Sequence, residues 1–223
     1  MMSARPYNPP TGPLEIIYED EQIVAANKPS GLLSVPGRGE HLADCFIARL
    51  QERDPKVLLV HRLDCDTSGL MIFAKTKEAQ RHIGLQFEKR YTKKSYTAWV
   101  HGVPDEPKGD VDLPIIVDWP NRPLQKICHE TGREAQTAWR KIGKKNGCAK
   151  LELKPRTGRS HQLRIHCREI GFPILGDELY GPQPPQAPRL MLHSTTLDLR
   201  HPIGGEWLEL KCEPPADFGP FLT

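Results

Sequence analysis

The sequence predicts an α+β fold. Many short apolar runs, most of them alternating with polar residues, read as strands, and three longer segments carry helical spacing. No repeat, low-complexity tract or composition break forces a domain boundary. With 223 residues, 38% apolar and 26% charged, the chain is long enough to build its own core.

Met1 to Pro13 holds four prolines and a Thr-Gly pair, so it reads as an extended arm ahead of one domain over 14–223. Leu14 to Tyr18 and Gln22 to Asn27 predict a first hairpin around an acidic turn. Leu42, Cys45, Phe46 and Leu50 share one face of a helix that ends before Asp54-Pro55. Val57 to Val60 and Leu70 to Ala74 predict strands on either side of a polar loop. A second helix over Lys77 to Tyr91 places Ala79, Ile83, Phe87 and Arg90 on one side. Tyr96, Ala98 and Val100 alternate with polar neighbours, as do Ala135, Thr137 and Trp139, so both stretches predict half-buried strands. Asp112 to Pro123, rich in proline but interleaved with apolar residues, predicts a structured loop. Leu151 and Leu153 continue the strand pattern. Thr157-Gly158-Arg159-Ser160 then opens a third helix, Ser160 to Ile170, with Leu163, Cys167 and Ile170 inward and Gly171 as its stop. Arg189 to Ser194, Thr196 to Arg200 and Trp207 to Cys212 are further short strands.

Composition narrows the function classes. Six cysteines form no C-x-x-C pair and follow no signal peptide, which predicts free thiols in a reducing cytoplasm. No apolar run has the length of a membrane span. The net charge is only +3, yet Leu153 to Arg168 contains no acid, and Lys154, Arg156, Arg159, Arg164 and Arg168 lie within it. Such a one-signed tract fits either an anionic partner or a solvated basic face. Phosphate loops of nucleotide-binding spacing, H-E-x-x-H and G-x-S-x-G are all absent.

Reactive side chains concentrate in His61-Arg62-Leu63-Asp64-Cys65-Asp66-Thr67-Ser68-Gly69, a loop held at both ends by apolar strands. One reading of His61, Asp64 and Asp66 is a metal-dependent nuclease centre, weakened by Arg62, whose charge would oppose a cation. Cys65 has no defined partner and reads as structural. His161 and His166 are five residues apart on the third helix and face different sides. A charged hairpin connection, or an RNA-binding module without catalysis, completes the alternatives.

Five motifs carry a family resemblance. Asn27-Lys28-Pro29-Ser30-Gly31-Leu32, His61-Arg62-Leu63-Asp64 with Thr67-Ser68-Gly69, Lys94-Ser95-Tyr96, Arg156 through His166, and Leu192-His193 stand in the order and spacing of the RluA family of pseudouridine synthases. The likeness runs from about Leu14 to Phe218, and Asp118-Trp119-Pro120-Asn121-Arg122-Pro123 resembles the branch typified by RluA itself. Cys65-Asp66 fills two variable positions, and Ser194 stands where the family often has alanine. The arm leaves no room for the family's optional S4 domain.

The resemblance implies a mixed, largely antiparallel central sheet with an active cleft across it. It also implies an isomerase that frees uracil from ribose at N1 and reattaches it through C5, without cofactor or metal. The expected partner is structured ribosomal or transfer RNA, bound by a monomer. By the same resemblance Asp64 is the catalytic carboxylate, acting at the base, at the sugar or in elimination to a glycal. Arg164 pairs with Asp64 and keeps it ionised. Tyr96 stacks on the flipped base and is a less secure general base, because a phenol titrates near pH 10. Leu192 closes the opposite side of the base. Arg62 fills the gap in the RNA stack. Lys28, Arg156 and Arg159 are expected phosphate contacts, with a structural role as the alternative.

Overall fold

The computed structural model describes residues 6–219, with strands and three helices in an α+β arrangement. Two compact units divide the chain. One ends at Tyr91 and resumes over Asp198–Cys212; the other runs over Thr92–Leu197 and resumes from Glu213.

The first unit opens with the expected hairpin, β1 (Glu15–Glu19) on β2 (Ile23–Lys28). Helix α1 (Phe46–Arg53) follows, then β3 (Leu58–Leu59), β4 (Ser68–Ala74) and α2 (Lys77–Glu88). Strand β4 pairs antiparallel with β2, Ile23 opposite Ala74 and Lys28 opposite Gly69. Every residue of β4 is buried, which is why it reads as a continuous apolar run rather than an alternating one.

Helix α1 begins four residues later than its spacing predicts. Leu42 belongs to a separate turn of 3-10 helix, and the first helical N–H groups, Phe46 and Ile47, donate to the carbonyls of Leu33 and Ser34. A distant loop therefore caps the helix. Helix α2 is capped by Thr76, whose hydroxyl accepts from Ala79 N, and stops short of Arg90, which adopts a left-handed φ of 60°. Its buried face is Ala79, Ile83 and Gln86 instead of the expected set with Arg90. The Gln86 amide donates to Arg200 O and accepts from Arg200 N, both at 2.8 Å, so the inward polar group is satisfied.

The second unit is a set of antiparallel strands in the order β5 (Lys93–His101), β10 (Cys148–Pro155), β9 (Gln136–Lys145), β6 (Lys108–Asp112). The segment expected to be a single loop holds β7 (Ile115–Val117), which pairs with β8 (Gln125–Ile127) as a separate two-stranded sheet. Helix α3 (Gln162–Glu169) ends one residue before Ile170, and Gly171 follows at φ 88° as the stop. Strand β11 (Leu192–Arg200) is continuous where two runs were expected. It starts in the second unit, ends in the first, and there pairs with β12 (Trp207–Lys211). Buried residues of β5, β10, α3 and β11, among them Val100, Leu151, Leu163 and Leu192, form the core of the second unit.

A histidine latch closes the first unit. His201 Nε2 lies 2.9 Å from the Asp20 carboxylate, and Nδ1 bonds Ile203 O. Burial opposes the imidazolium, but these hydrogen bonds outweigh it and raise the His201 pKa. A raised folded pKa gives stabilisation that is full below the unfolded value, about 6.5, and lost as pH rises through the folded value. His201→Gln is expected to flatten the pH dependence of the melting temperature above about pH 6.5. Parallel melting profiles of the two proteins would remove the latch from this role.

Candidate active site

The polar loop between β3 and β4 is fastened from below. Lys28, fully buried at the end of β2, donates from Nζ to the carbonyls of Pro29, Leu32 and Cys65 at 2.8, 2.7 and 2.8 Å. Gly31 N donates to the same Cys65 carbonyl at 3.0 Å, and Ser30 Oγ to Asp66 O at 2.7 Å. Ser34 Oγ donates to Leu63 O and accepts from Leu63 N. Thr67 N returns to Asp64 O at 3.2 Å, making the turn that leads into β4. The backbone on either side of Asp64 is thereby tied to the loop that follows β2.

These contacts correct one assignment. Lys28 is not a phosphate contact, because its three ammonium donors are used on three carbonyls beneath the loop. Lys28→Met is expected to cost about 2–3 kcal/mol, since charge-assisted bonds are lost and carbonyls are left without donors. Urea unfolding measures this; a midpoint equal to wild type would make the lysine dispensable.

Around this anchor the polar side chains separate. Arg62 and Asp66 are exposed and Asp64 is partly exposed, while Leu63 and Thr67 are buried. His61 is a wall of the loop. Its Nε2 accepts from Ile72 N at 3.1 Å and its ring stacks on Phe87 at 4.8 Å. A nitrogen accepting from a backbone N–H leaves the proton on Nδ1, so His61 is not the ligand that the nuclease reading requires. Burial and the Asp66 and Asp64 charges push the Cys65 thiol up to about 11, which keeps it protonated and a poor nucleophile at neutral pH.

The second unit carries the remaining candidates. Tyr96 is half-buried on β5 and packs against the cluster that contains Leu192, itself 3% exposed at the start of β11. Hydroxyl pairs hold these strands together, Ser95 with Thr196 and Thr97 with Thr195, both at 2.8 Å. Lys94 shares the Tyr96 face of β5, two residues away, and burial lowers its pKa. Arg156 is exposed, with Asp110 3.9 Å away. Arg159 donates from Nε to Glu134 O at 2.9 Å.

Arg164 is buried on α3, and its bidentate partner is Asp177, at 2.8 Å from Nε and 2.6 Å from Nη2. Asp177 Oδ1 also accepts from Leu179 N and Tyr180 N. Gly176 precedes it at φ 70°, where a Cβ would stand 1.9 Å from Arg189 O, so only glycine fits. Tyr180 lies 5.2 Å beneath the Arg164 guanidinium, and its hydroxyl meets His161 Nδ1 at 2.7 Å. His166 sits apart, between Thr137 Oγ1 and Leu113 O. Asp177 was missed in the sequence. Its only signal was that a tract of five basic residues without an acid needs a carboxylate from elsewhere if any of them is to be buried.

The α+β protein thus carries Asp64 on a pinned polar loop and a buried arginine held by a carboxylate. Residues 22–169 match the family model described as RNA pseudouridylate synthase. The dual-specificity RNA pseudouridine synthase RluA of Escherichia coli is 48% identical over 221 residues, covering 97% of this chain and 100% of that protein. Its counterpart in Salmonella typhi is 49% identical over 223 residues, with the same shares covered. Among solved structures, human RNA pseudouridylate synthase domain containing 1 aligns at a TM-score of 0.75 and 27% identity, over 96% of this chain and 87% of that one. Human RNA pseudouridylate synthase domain containing 4 aligns at 0.73 and 26%, over 92% and 90%. The chain belongs to the RluA family of RNA pseudouridine synthases. It is an isomerase that acts on RNA.

Proposed function

We propose that this enzyme isomerises uridines in stem-loops of both ribosomal and transfer RNA, with Asp64 as the catalytic carboxylate. The observation that carries the proposal is the fastening of the Asp64 backbone by Lys28, Gly31, Ser30 and Ser34, which leaves its side chain partly exposed on a rigid support. The relatives' names, dual-specificity RNA pseudouridine synthase, support more than one RNA target.

In this reading the uridine is flipped out of its stack, and its base lies against Tyr96 with Leu192 on the other side. Asp64 assists rupture of the bond from N1 to C1′, the base turns, and C5 bonds to C1′. The C5 proton leaves to water and N1 gains one, so atoms and charge balance with no net redox change. Arg164, held by Asp177, is the catalytic arginine of this reading; Arg62 takes the place of the flipped base, and Arg156 and Arg159 meet the RNA backbone. In the same reading the enzyme works as a monomer in the cytoplasm.

Transfer of tritium from C5 of labelled uridine into water, measured separately with ribosomal and transfer RNA transcripts, tests the proposal. Release from both, with matching pseudouridine in the digested product, is the expected result. Release from one class alone would reduce the specificity to that class; release from neither would overturn the reading.

A further inference from the structure

The hairpin formed by β7 and β8 carries a motif that the isomerisation does not use. Its tip, Trp119–Asn121, is a turn of 3-10 helix, and Trp119 is 65% exposed there. The Arg122 guanidinium stands 4.1 Å above the indole centroid. A guanidinium covers one face of a ring, so exposure this large leaves much of the remaining indole surface to solvent.

The tip is rigidly built. Asp118 N donates to Leu124 O, Leu124 N to Asn121 O, and the Asn121 amide to the Asp118 carboxylate. Lys126, on β8, is 3.6 Å from Asp118 and half-exposed. The hairpin joins the turn that holds Arg164. Gln125 N donates to Tyr180 Oη at 2.9 Å, and Leu124 and Ile127 pack with Tyr180 and with Ile165 of α3. The aromatic surface is therefore fixed in the same unit as Arg164, through Tyr180.

We propose that Trp119 and Arg122 form a stacking platform for an unpaired nucleotide of the substrate RNA, outside the pocket of the target uridine. The proposal rests on the reading of this enzyme as one that acts on stem-loops. Every base has a π-face, and an indole backed by a guanidinium offers both stacking and charge to it. A platform of this kind tolerates different bases, as binding to more than one RNA loop requires. Duplex RNA keeps its bases stacked and offers no face, so the occupant is a loop nucleotide.

Trp119→Ala is expected to weaken stem-loop binding about 5- to 100-fold, the range of one lost base stack, with the loss in KM rather than kcat. Trp119→Phe recovers part of the affinity. In the wild-type protein, saturating stem-loop RNA should shield tryptophan fluorescence from acrylamide, and this shielding should fall in Trp119→Phe. A melting temperature equal to wild type confirms that the exposed substitution leaves the fold intact. Kd and KM of Trp119→Ala within about twofold of wild type overturn the platform, as does shielding that is the same in Trp119→Phe. Tritium release by the wild-type enzyme is scored in parallel: its absence counts against the stem-loop isomerase, whereas its presence with unaltered Trp119→Ala binding counts against the platform alone.

Discussion

Asp64→Asn is expected to abolish pseudouridine formation, with a loss of at least about 1000-fold in kcat, as when a group central to the chemistry is removed. The amide is nearly isosteric but cannot act as a nucleophile or balance positive charge developing on the ribose. Stability should be unchanged, because the contacts that hold the loop use the backbone carbonyls of Leu63, Asp64, Cys65 and Asp66 rather than the Asp64 carboxylate. Stem-loop affinity should also remain near wild type. Tritium release is the readout for activity and thermal melting the control for fold. Turnover within tenfold of wild type would remove Asp64 from its proposed role.

Asp177→Ala is expected to give the largest loss of stability, about 3–5 kcal/mol, from breaking a buried ion pair by deleting one partner. Arg164 and Asp177 have side chains only 3% and 0% exposed, so the buried guanidinium would lose its bidentate carboxylate. Two backbone donors, Leu179 N and Tyr180 N, would lose their acceptor in the same step. Since a domain is typically stable by about 5–15 kcal/mol in total, the variant should unfold early in urea. The paired replacement Arg164→Met with Asp177→Leu should recover much of this loss, because the cost lies in the uncompensated charge. The same pair should remain inactive if Arg164 is the catalytic arginine. A single variant as stable as wild type would mean that Arg164 finds equivalent compensation elsewhere.

Local pattern made much of the fold legible. The hairpin of β1 and β2, the apolar run of β4, the alternation of β5 and the Gly171 stop of α3 all depend on neighbours within a few residues. The start of α1 was not legible, because carbonyls of Leu33 and Ser34 cap it. Nor was β7, which lies inside a stretch that proline content marks as loop and pairs across the Trp119 tip with β8 beyond it. Among the site residues, Asp64 and its motif were visible as residue types at a spacing. The buried work of Lys28 was not: a lysine on a loop reads as solvent-exposed until the carbonyls of Leu32 and Cys65 are seen to converge on it.

The sequence alone determined which residue types stand in order around Asp64, and with them the family and the chemistry to test. Tertiary structure alone decided that Lys28 is a pin beneath the loop, that Arg164 is held by Asp177, and that Trp119 stands at the tip of a braced hairpin. Periodicity, turn chemistry and motif spacing are set by covalent neighbours, whereas a hydrogen-bond partner thirteen or thirty-seven residues away is set by how strands and helices pack.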